Sequence, residues 1–307
     1  MMRSGGSFTT ADQQQIFWYK WMSQTTNAKP LLIVHGMAEH ASRYDHFATY
    51  LNEQGFHVYA MDLRGHGQSV QNGRLGHFAD REGWFAVVQD ISTFIDMITS
   101  EHDRPPILLG HSMGSLLLRS YCIEFHDKER SKVILSGSSR GLAPLVMKSA
   151  RLLAKTLRSV KKPWAPSPFM DKLVFGAYAK SVPDPRTPFD WLSRDERIVD
   201  EYMEDPLCGF VCSSQFYLDL VEGLIHCNDL VNMARMKKKQ DLLFLSGSED
   251  PVGNMGKDIA WLTDFFCSGD NEAENCASIL YPGYRHEILN EVGRERVYED
   301  IVAFLNR

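Results

Sequence analysis

Between residues 106 and 118 an apolar run, Pro106-Ile107-Leu108-Leu109, meets Gly110-His111-Ser112-Met113-Gly114 and then a second run, Ser115-Leu116-Leu117-Leu118. The first run has the length and bounds of a buried strand, and the second continues into a helix over residues 114–125. A G-x-S-x-G string at such a junction puts its serine on a sharp, strained turn, and the two glycines let the flanking backbone approach without Cβ clashes. The Ser112 hydroxyl then stands at the carboxyl end of a sheet. The Met113 N–H, at the helix start, points to where negative charge would develop on a substrate attacked by that hydroxyl.

The rest of the chain fits one sheet architecture. Residues 8–10 and 14–21 read as a hairpin, and 31–34, 57–61, 133–135, 242–245 and 278–280 read as further short strands. Helical patterns cover 43–54, 84–99 (with apolar spacing at Phe85, Val88, Ile91 and Ile95) and 297–305. Strands alternating with helices predict an α/β fold, a mostly parallel sheet covered by helices. One interval breaks the rhythm. Residues 139–239 take up far more chain than the dozen or so residues a crossover needs. They hold their own helical patterns and two Pro-rich hinges, at 163–168 and 183–188. The expected organisation is a core of 1–138 and 240–307 with an inserted helical cap at 139–239.

A serine hydroxyl is a weak nucleophile, so it needs a base, and the base needs an orienting acid. Ser246-Gly247-Ser248-Glu249-Asp250-Pro251 follows the strand at 242–245, and Tyr281-Pro282-Gly283-Tyr284-Arg285-His286 follows the strand at 278–280. Both loops leave the same sheet edge as Ser112, in the chain order serine, acid, histidine. Ser112, Asp250 and His286 are therefore the candidate triad. Asp250 is preferred to Glu249 for its place just before Pro251. Glu249 and Glu287 read as solvated surface charges, and His111 as a packing histidine pointing into the core. His35-Gly36-Met37 follows the strand at 31–34, and the Met37 N–H is the second candidate oxyanion donor beside that of Met113.

Taken together, HGMAEHASRY at 35–44, MDLRGHGQS at 61–69, GHFAD at 76–80, GHSMGS at 110–115, SGSEDPVG at 246–253 and PGYRHEILNE at 282–291 resemble the monoacylglycerol lipases and bacterial lysophospholipases of the α/β-hydrolase superfamily. The resemblance spans nearly the whole core. It implies an α/β-hydrolase fold and a serine esterase acting on single-chain acyl lipids. It also implies the triad Ser112, Asp250 and His286, with the Met37 and Met113 amides as the oxyanion hole. The Asp62 to Gly67 turn is implied to be structural. Gly253 departs from the animal enzymes, which carry a cysteine there. WLSRDERIVDEYMEDPLCGF at 191–210 looks like the bacterial branch. A small-ester carboxylesterase or a C–C bond hydrolase would use the same triad. The implied chemistry calls for no metal or organic cofactor.

Composition narrows the partners. With 33 Lys and Arg against 39 Asp and Glu, the net charge of −6 argues against a nucleic-acid binder. Residues 1–10 lack the apolar stretch of a signal peptide, and no run approaches the ~20 apolar residues that span a bilayer. Six separated cysteines suggest reduced thiols in a cytoplasmic protein, and Cys208 with Cys212 lacks a second pair for zinc. Residues 142–160 read as a helix with Leu142, Leu145, Val146, Leu152, Leu153, Leu157 and Val160 on one face. Lys148, Arg151, Lys155, Arg158 and Lys162 lie on the other. The expectation is a cap that covers an acyl chain and meets an anionic membrane surface through its basic stripe.

Overall fold

The structure, a computed structural model, describes residues 3–129, 132–160, 162–236, 240–268 and 275–307. Eight strands among these residues form one sheet: β1 (Ser4–Thr9), β2 (Gln15–Trp21), β3 (Lys29–Val34), β4 (Phe56–Met61), β5 (Ile107–His111), β6 (Lys132–Ser136), β7 (Asp241–Gly247) and β8 (Cys276–Tyr281). Their order is β1-β2-β4-β3-β5-β6-β7-β8. β2 runs antiparallel to both its neighbours, and the pairings from β4 to β8 are parallel.

The parallel strands are buried on both faces, which is why they read as continuous apolar runs rather than alternating ones. Period-two geometry still sorts their side chains. Leu32, Val34, Leu108, Val133, Leu135, Leu242 and Phe244 enter one core, under α2 (Gly83–His102), α3 (Met113–Glu124) and α9 (Lys257–Cys267). Leu31, Ile33, Leu109, Ile134, Leu243 and Leu245 enter the other, under α1 (Asp45–Glu53) and α10 (Glu295–Leu305).

Two local expectations shift. The segment expected as one helix over 43–54 is a 3₁₀ turn, Ala41–Tyr44, followed by α1. In α2 the buried face is set by Trp84, Val87, Val88 and Ile91, while Phe85 is exposed. The stripe begins one residue earlier than the sequence spacing suggested, because Trp84 is the side chain that inserts.

Between β6 and β7 the described chain holds α4 (Pro144–Val160), α5 (Pro168–Ala179), α6 (Glu196–Glu204), α7 (Ser214–Asn228) and α8 (Leu230–Ala234). Residues 237–239, at the end of the expected insertion, lie outside the described residues. α7 packs against α2 and α3 as well as α4, so it belongs physically to the core. Gly223 makes this possible: a Cβ there would lie 2.1 Å from the Trp84 ring.

α4 does not sit as its pattern predicted. Its buried residues are Met147 and Ala154, with Leu153 and Leu157 partly covered. Leu145 and Leu152 face outward, 77% and 68% exposed, as do Leu142, Val146 and Val160. Lys148, Arg151 and Lys155 are exposed too. Arg151 and Lys155 pair with Glu222 of α7, and the Arg158 guanidinium donates to the Asp80 carbonyl. A helix with two unlike faces can be docked along either edge, and here the docked line runs through Met147 and Ala154.

The cysteine expectation needs one correction. Cys267, ending α9, and Cys276, starting β8, form a disulfide; Cys122, Cys208, Cys212 and Cys227 are free and buried. The two bonded residues are nine apart in sequence, and the end of α9 and the start of β8 hold their Cα atoms 5.4 Å apart.

Candidate active site

Ser112 lies between β5 and α3 with φ 52° and ψ −120°, a backbone region that side chains rarely occupy. The turn is held from both sides. The Ser112 N–H donates to the Ser136 carbonyl, and the Ser112 carbonyl accepts from the Ser115 N–H and hydroxyl. Gly114 is required by approach: a Cβ there would stand 2.1 Å from the Val34 carbonyl oxygen. The start of α3 is therefore pressed against the end of β3, and the loop carrying Met37 lies beside Ser112. Met113 and Met37 both line the same cavity as Ser112, and neither amide donates a hydrogen bond among the described residues.

Asp250 follows β7 and His286 follows β8. His286 Nδ1 and Asp250 Oδ1 are 2.9 Å apart, both side chains essentially fully buried. Asp250 also accepts from the Val252 N–H and the Ser246 hydroxyl. Burial alone would raise its pKa, but His286 and the Val252 N–H hold it below the usual value. For His286, burial works downward and is outweighed by Asp250, with Glu287 and Glu39 adding to the upward shift. Gly137, after β6, closes the far side: a Cβ there would meet the His286 ring at 2.8 Å. Glu249 is exposed, as expected of a solvated charge.

Two expectations about neighbours are revised. Glu287 is 4% exposed, not solvated, and makes a two-pronged ion pair with Arg43 at 2.7 and 2.8 Å. Burial opposes its ionisation, yet Arg43 holds its pKa at about 2. His111 does not turn into the core; its ring lies 4.8 Å from that of His286, and burial pushes its pKa down to about 4. His111 therefore stays neutral beside the imidazole that must carry charge.

Sequence reasoning missed the group that organises the loop carrying Met37. Glu39 Oε1 accepts from the Gly36 N–H and the Tyr44 hydroxyl, while its other oxygen pairs with Arg43 at 2.8 Å. Arg43 thus joins Glu39, on the Met37 loop, to Glu287, the residue after His286. The available signal was a Glu and an Arg at i, i+4 inside a loop flanked by apolar sequence. The loop is also held from the insertion, where the Tyr202 hydroxyl and the Gly209 N–H both donate to the Ala38 carbonyl.

Other constellations are less suited to chemistry. Ser213, His77 and Asp80 have triad-like connectivity, with His77 3.0 Å from each, but Ser213 is wholly buried and caps α7. Among the described residues His40, Asp205 and Cys208 could hold a metal, their ligating atoms lying within 4.8 Å of one another. Cys208 therefore keeps company with His40 and Asp205, not with Cys212, whose sulfur packs against Gly76.

The cavity over Ser112 has a volume of about 430 Å³. Its walls are mainly apolar, from Leu116 of α3, Met147 of α4, Leu173 and Val174 of α5, and Leu220 and Leu224 of α7. A serine on a strained turn and a buried His–Asp pair on one sheet edge, beside a cavity lined by two residues whose amides are unpaired among the described residues, have the composition nucleophilic acyl transfer needs.

Comparison with known proteins places the fold among hydrolases. The family described as "Serine aminopeptidase, S33" matches residues 26–293. The chain is 27% identical to a monoacylglycerol lipase of Mycolicibacterium smegmatis, over 99% of this chain and 97% of that protein. It is 25% identical to phospholipase YtpA of Bacillus subtilis, over 90% and 95%. Among solved structures, a thermostable carboxyl esterase from Bacillus coagulans, determined with glycerol, superposes with a TM-score of 0.90 at 26% identity, covering 100% of this chain and 98% of that one.

Proposed function

Since the chain belongs to the serine aminopeptidase S33 family of α/β hydrolases, we propose that it hydrolyses carboxylic esters of single-chain acyl lipids with Ser112 as nucleophile, His286 as base and Asp250 as the orienting acid. The observation that carries this reading is the largely apolar cavity of about 430 Å³ that Ser112, Met37 and Met113 all line. An acyl chain gains about 0.8 kcal/mol for each CH₂ that it buries there. The lipase and phospholipase names of the relatives point the same way.

His286 takes the Ser112 proton as the Oγ attacks the ester carbonyl. The carbonyl oxygen becomes an oxyanion that accepts hydrogen bonds from the Met37 and Met113 N–H groups. Collapse breaks the C–O bond, and His286 returns the proton to the departing alkoxide. A water then repeats the sequence on the acyl-enzyme and releases the fatty acid. Each step is carried by these side chains and amides.

The likeness to a carboxyl esterase supports a second reading, a small-ester esterase with the same triad. A series of p-nitrophenyl esters from two to sixteen carbons separates the two. The lipid reading expects kcat/KM to rise with chain length to at least about eight carbons, and a maximum at two to four carbons would overturn it.

The proposal extends to peripheral contact with lipid. No described helix is long and apolar enough to cross a membrane. Leu142, just before α4, and Leu173 of α5 line the cavity while being 65% and 53% exposed, and Leu145 and Leu152 of α4 and Phe169 of α5 stand exposed as well. An apolar rim of this kind can seat in a lipid surface while substrate passes inward. The basic stripe is a weaker support than its sequence suggested, because Arg151 and Lys155 are paired with Glu222. A cytoplasmic location rests on the four buried free thiols, and the Cys267–Cys276 disulfide weighs against it.

A further inference from the structure

His40, Asp205 and Cys208 converge from two distant parts of the chain, and none of them lines the cavity over Ser112. His40 follows the loop that carries Met37. Asp205 caps the end of α6, and Cys208 lies in the turn that follows. The Cys208 N–H donates to the Asp205 carbonyl, so this turn brings the two side chains together. Their ligating atoms and that of His40 lie within 4.8 Å of one another.

Each of these side chains is held as metal ligands are held. His40 Nε2 faces Asp205 Oδ2 at 2.8 Å, while Nδ1 meets the Ser42 hydroxyl at 2.8 Å, which fixes the ring. The other Asp205 oxygen accepts from the Leu207 N–H. Cys208 is buried in a small apolar cluster with Trp191, Leu192 and Tyr202. The Asp205 side chain is 30% exposed, which leaves an ion a way in and room for a water as fourth ligand. The surroundings favour positive charge. Arg43 acts on the Cys208 thiol against Asp205, Glu39 and Glu287, one cation against three carboxylates. The site also stands at the C-terminal end of α6, where the helix dipole favours a cation.

We propose that His40, Asp205 and Cys208 form a three-ligand site for a zinc-class divalent ion that clamps the insertion onto the loop carrying Met37. One imidazole nitrogen, one sulfur and one carboxylate oxygen select a borderline-soft ion over magnesium or calcium, which take oxygen ligands. Ligands around tetrahedral zinc lie about 3.3–3.6 Å apart, so the His40–Asp205 pair opens by about 0.5 Å and the widest pair closes by up to roughly 1 Å. Burial keeps the Cys208 thiol protonated, and the ion displaces that proton to solvent as the sulfur–metal bond forms. The Ala38 carbonyl, between Met37 and His40, already accepts from the Tyr202 hydroxyl and the Gly209 N–H. A bound ion adds a coordinate link between the same two segments. The spacing of Cys208 and Cys212 hid the site, because the third ligand, His40, lies 165 residues from Asp205.

The test uses the full chain, treated with a chelator that is then removed, and titrated separately with Zn²⁺ and Co²⁺. Zn²⁺ should bind as a single equivalent with a Kd at or below about 10 μM. At about 100 times that Kd it should raise the Tm by at least ~3 °C, and Mg²⁺ and Ca²⁺ should not. Co²⁺ should give a sulfur-to-cobalt charge-transfer band with a tetrahedral visible spectrum. Cys208→Ser should abolish that band, and Cys208→Ser and Asp205→Asn should each weaken Zn²⁺ binding at least ~10-fold, while Cys212→Ser keeps both band and affinity. Weaker binding by the wild type, a cobalt spectrum without the sulfur band, or a smaller loss in Cys208→Ser overturns the proposal. So does Zn²⁺ binding that His286→Gln abolishes, because the ion would then sit at the triad. Should Cys208→Ser not fold, judged by thermal unfolding, the wild-type cobalt spectrum and the loss in Asp205→Asn decide.

Discussion

β3 and α4 are both rich in large apolar residues and treat them in opposite ways. Every side chain of β3 from Leu31 to Val34 is fully buried. In α4 Leu145, Leu152 and Val160 are each more than two-thirds exposed. A central parallel strand has two covered faces, so any apolar residue on it is in the core whichever way it points. A helix in the insertion touches the core along one line only, and its other apolar residues are available to something outside the chain. Sheet apolarity therefore reports stability, and cap apolarity reports use.

The largest effect that would sharpen this contrast is chemical and lies at the sheet edge. Asp250→Asn should slow ester turnover by about 10⁴, the loss known when a triad aspartate becomes an amide. Glu249→Gln, one residue away but exposed, should change it little. The opposite ranking would move the acid to Glu249.

Next comes stability. Leu32→Ala or Phe244→Ala should cost about 3–5 kcal/mol by denaturant unfolding, the sum of lost burial and cavity terms. The double change Leu145→Ser and Leu152→Ser should stay within about 0.5 kcal/mol of wild type, as exposed positions do. It should nonetheless weaken binding to lipid vesicles while turnover of a soluble short ester holds. An equal stability loss in both sets would break the comparison, since α4 would then be ordinary core.

A smaller shift tests the buried charges. His286 is raised above its ordinary value, so its neutral, proton-accepting form appears only as pH rises through that raised pKa. The acid limb of kcat/KM should therefore have its midpoint above ~6.5. Glu287→Gln removes one negative charge that favours the imidazolium, and the limb should move to lower pH. An unmoved limb would show that Asp250 alone sets the proton affinity of His286.

The same contrast explains what could be read in advance. The strands, the elbow and the loops after β7 and β8 were legible because each is fixed by local pattern plus one sheet edge. Trp84 against Phe85 was not, since the two helical stripes differ by a single residue and Gly223 of α7, far away in sequence, selects one. Glu287 looked like a surface charge because its partner Arg43 lies 244 residues away. The orientation of α4 was hidden for a related reason: its buried line runs through Met147 and Ala154, and Glu222, which pairs with Arg151 and Lys155, lies on α7, far away in sequence. The disulfide escaped because Cys267 and Cys276 meet only once α9 has turned back into β8.

The central claim is that Ser112 is the nucleophile of an ester hydrolase. The most direct measurement is labelling of the folded protein with a fluorophosphonate, followed by peptide mass mapping, beside the esterase rate of Ser112→Ala. The account predicts one adduct, on the peptide carrying Ser112, none in the folded Ser112→Ala protein, and a fall in turnover on the order of 10⁶. An adduct on another serine, or a variant that still turns over ester at the wild-type rate, would contradict it.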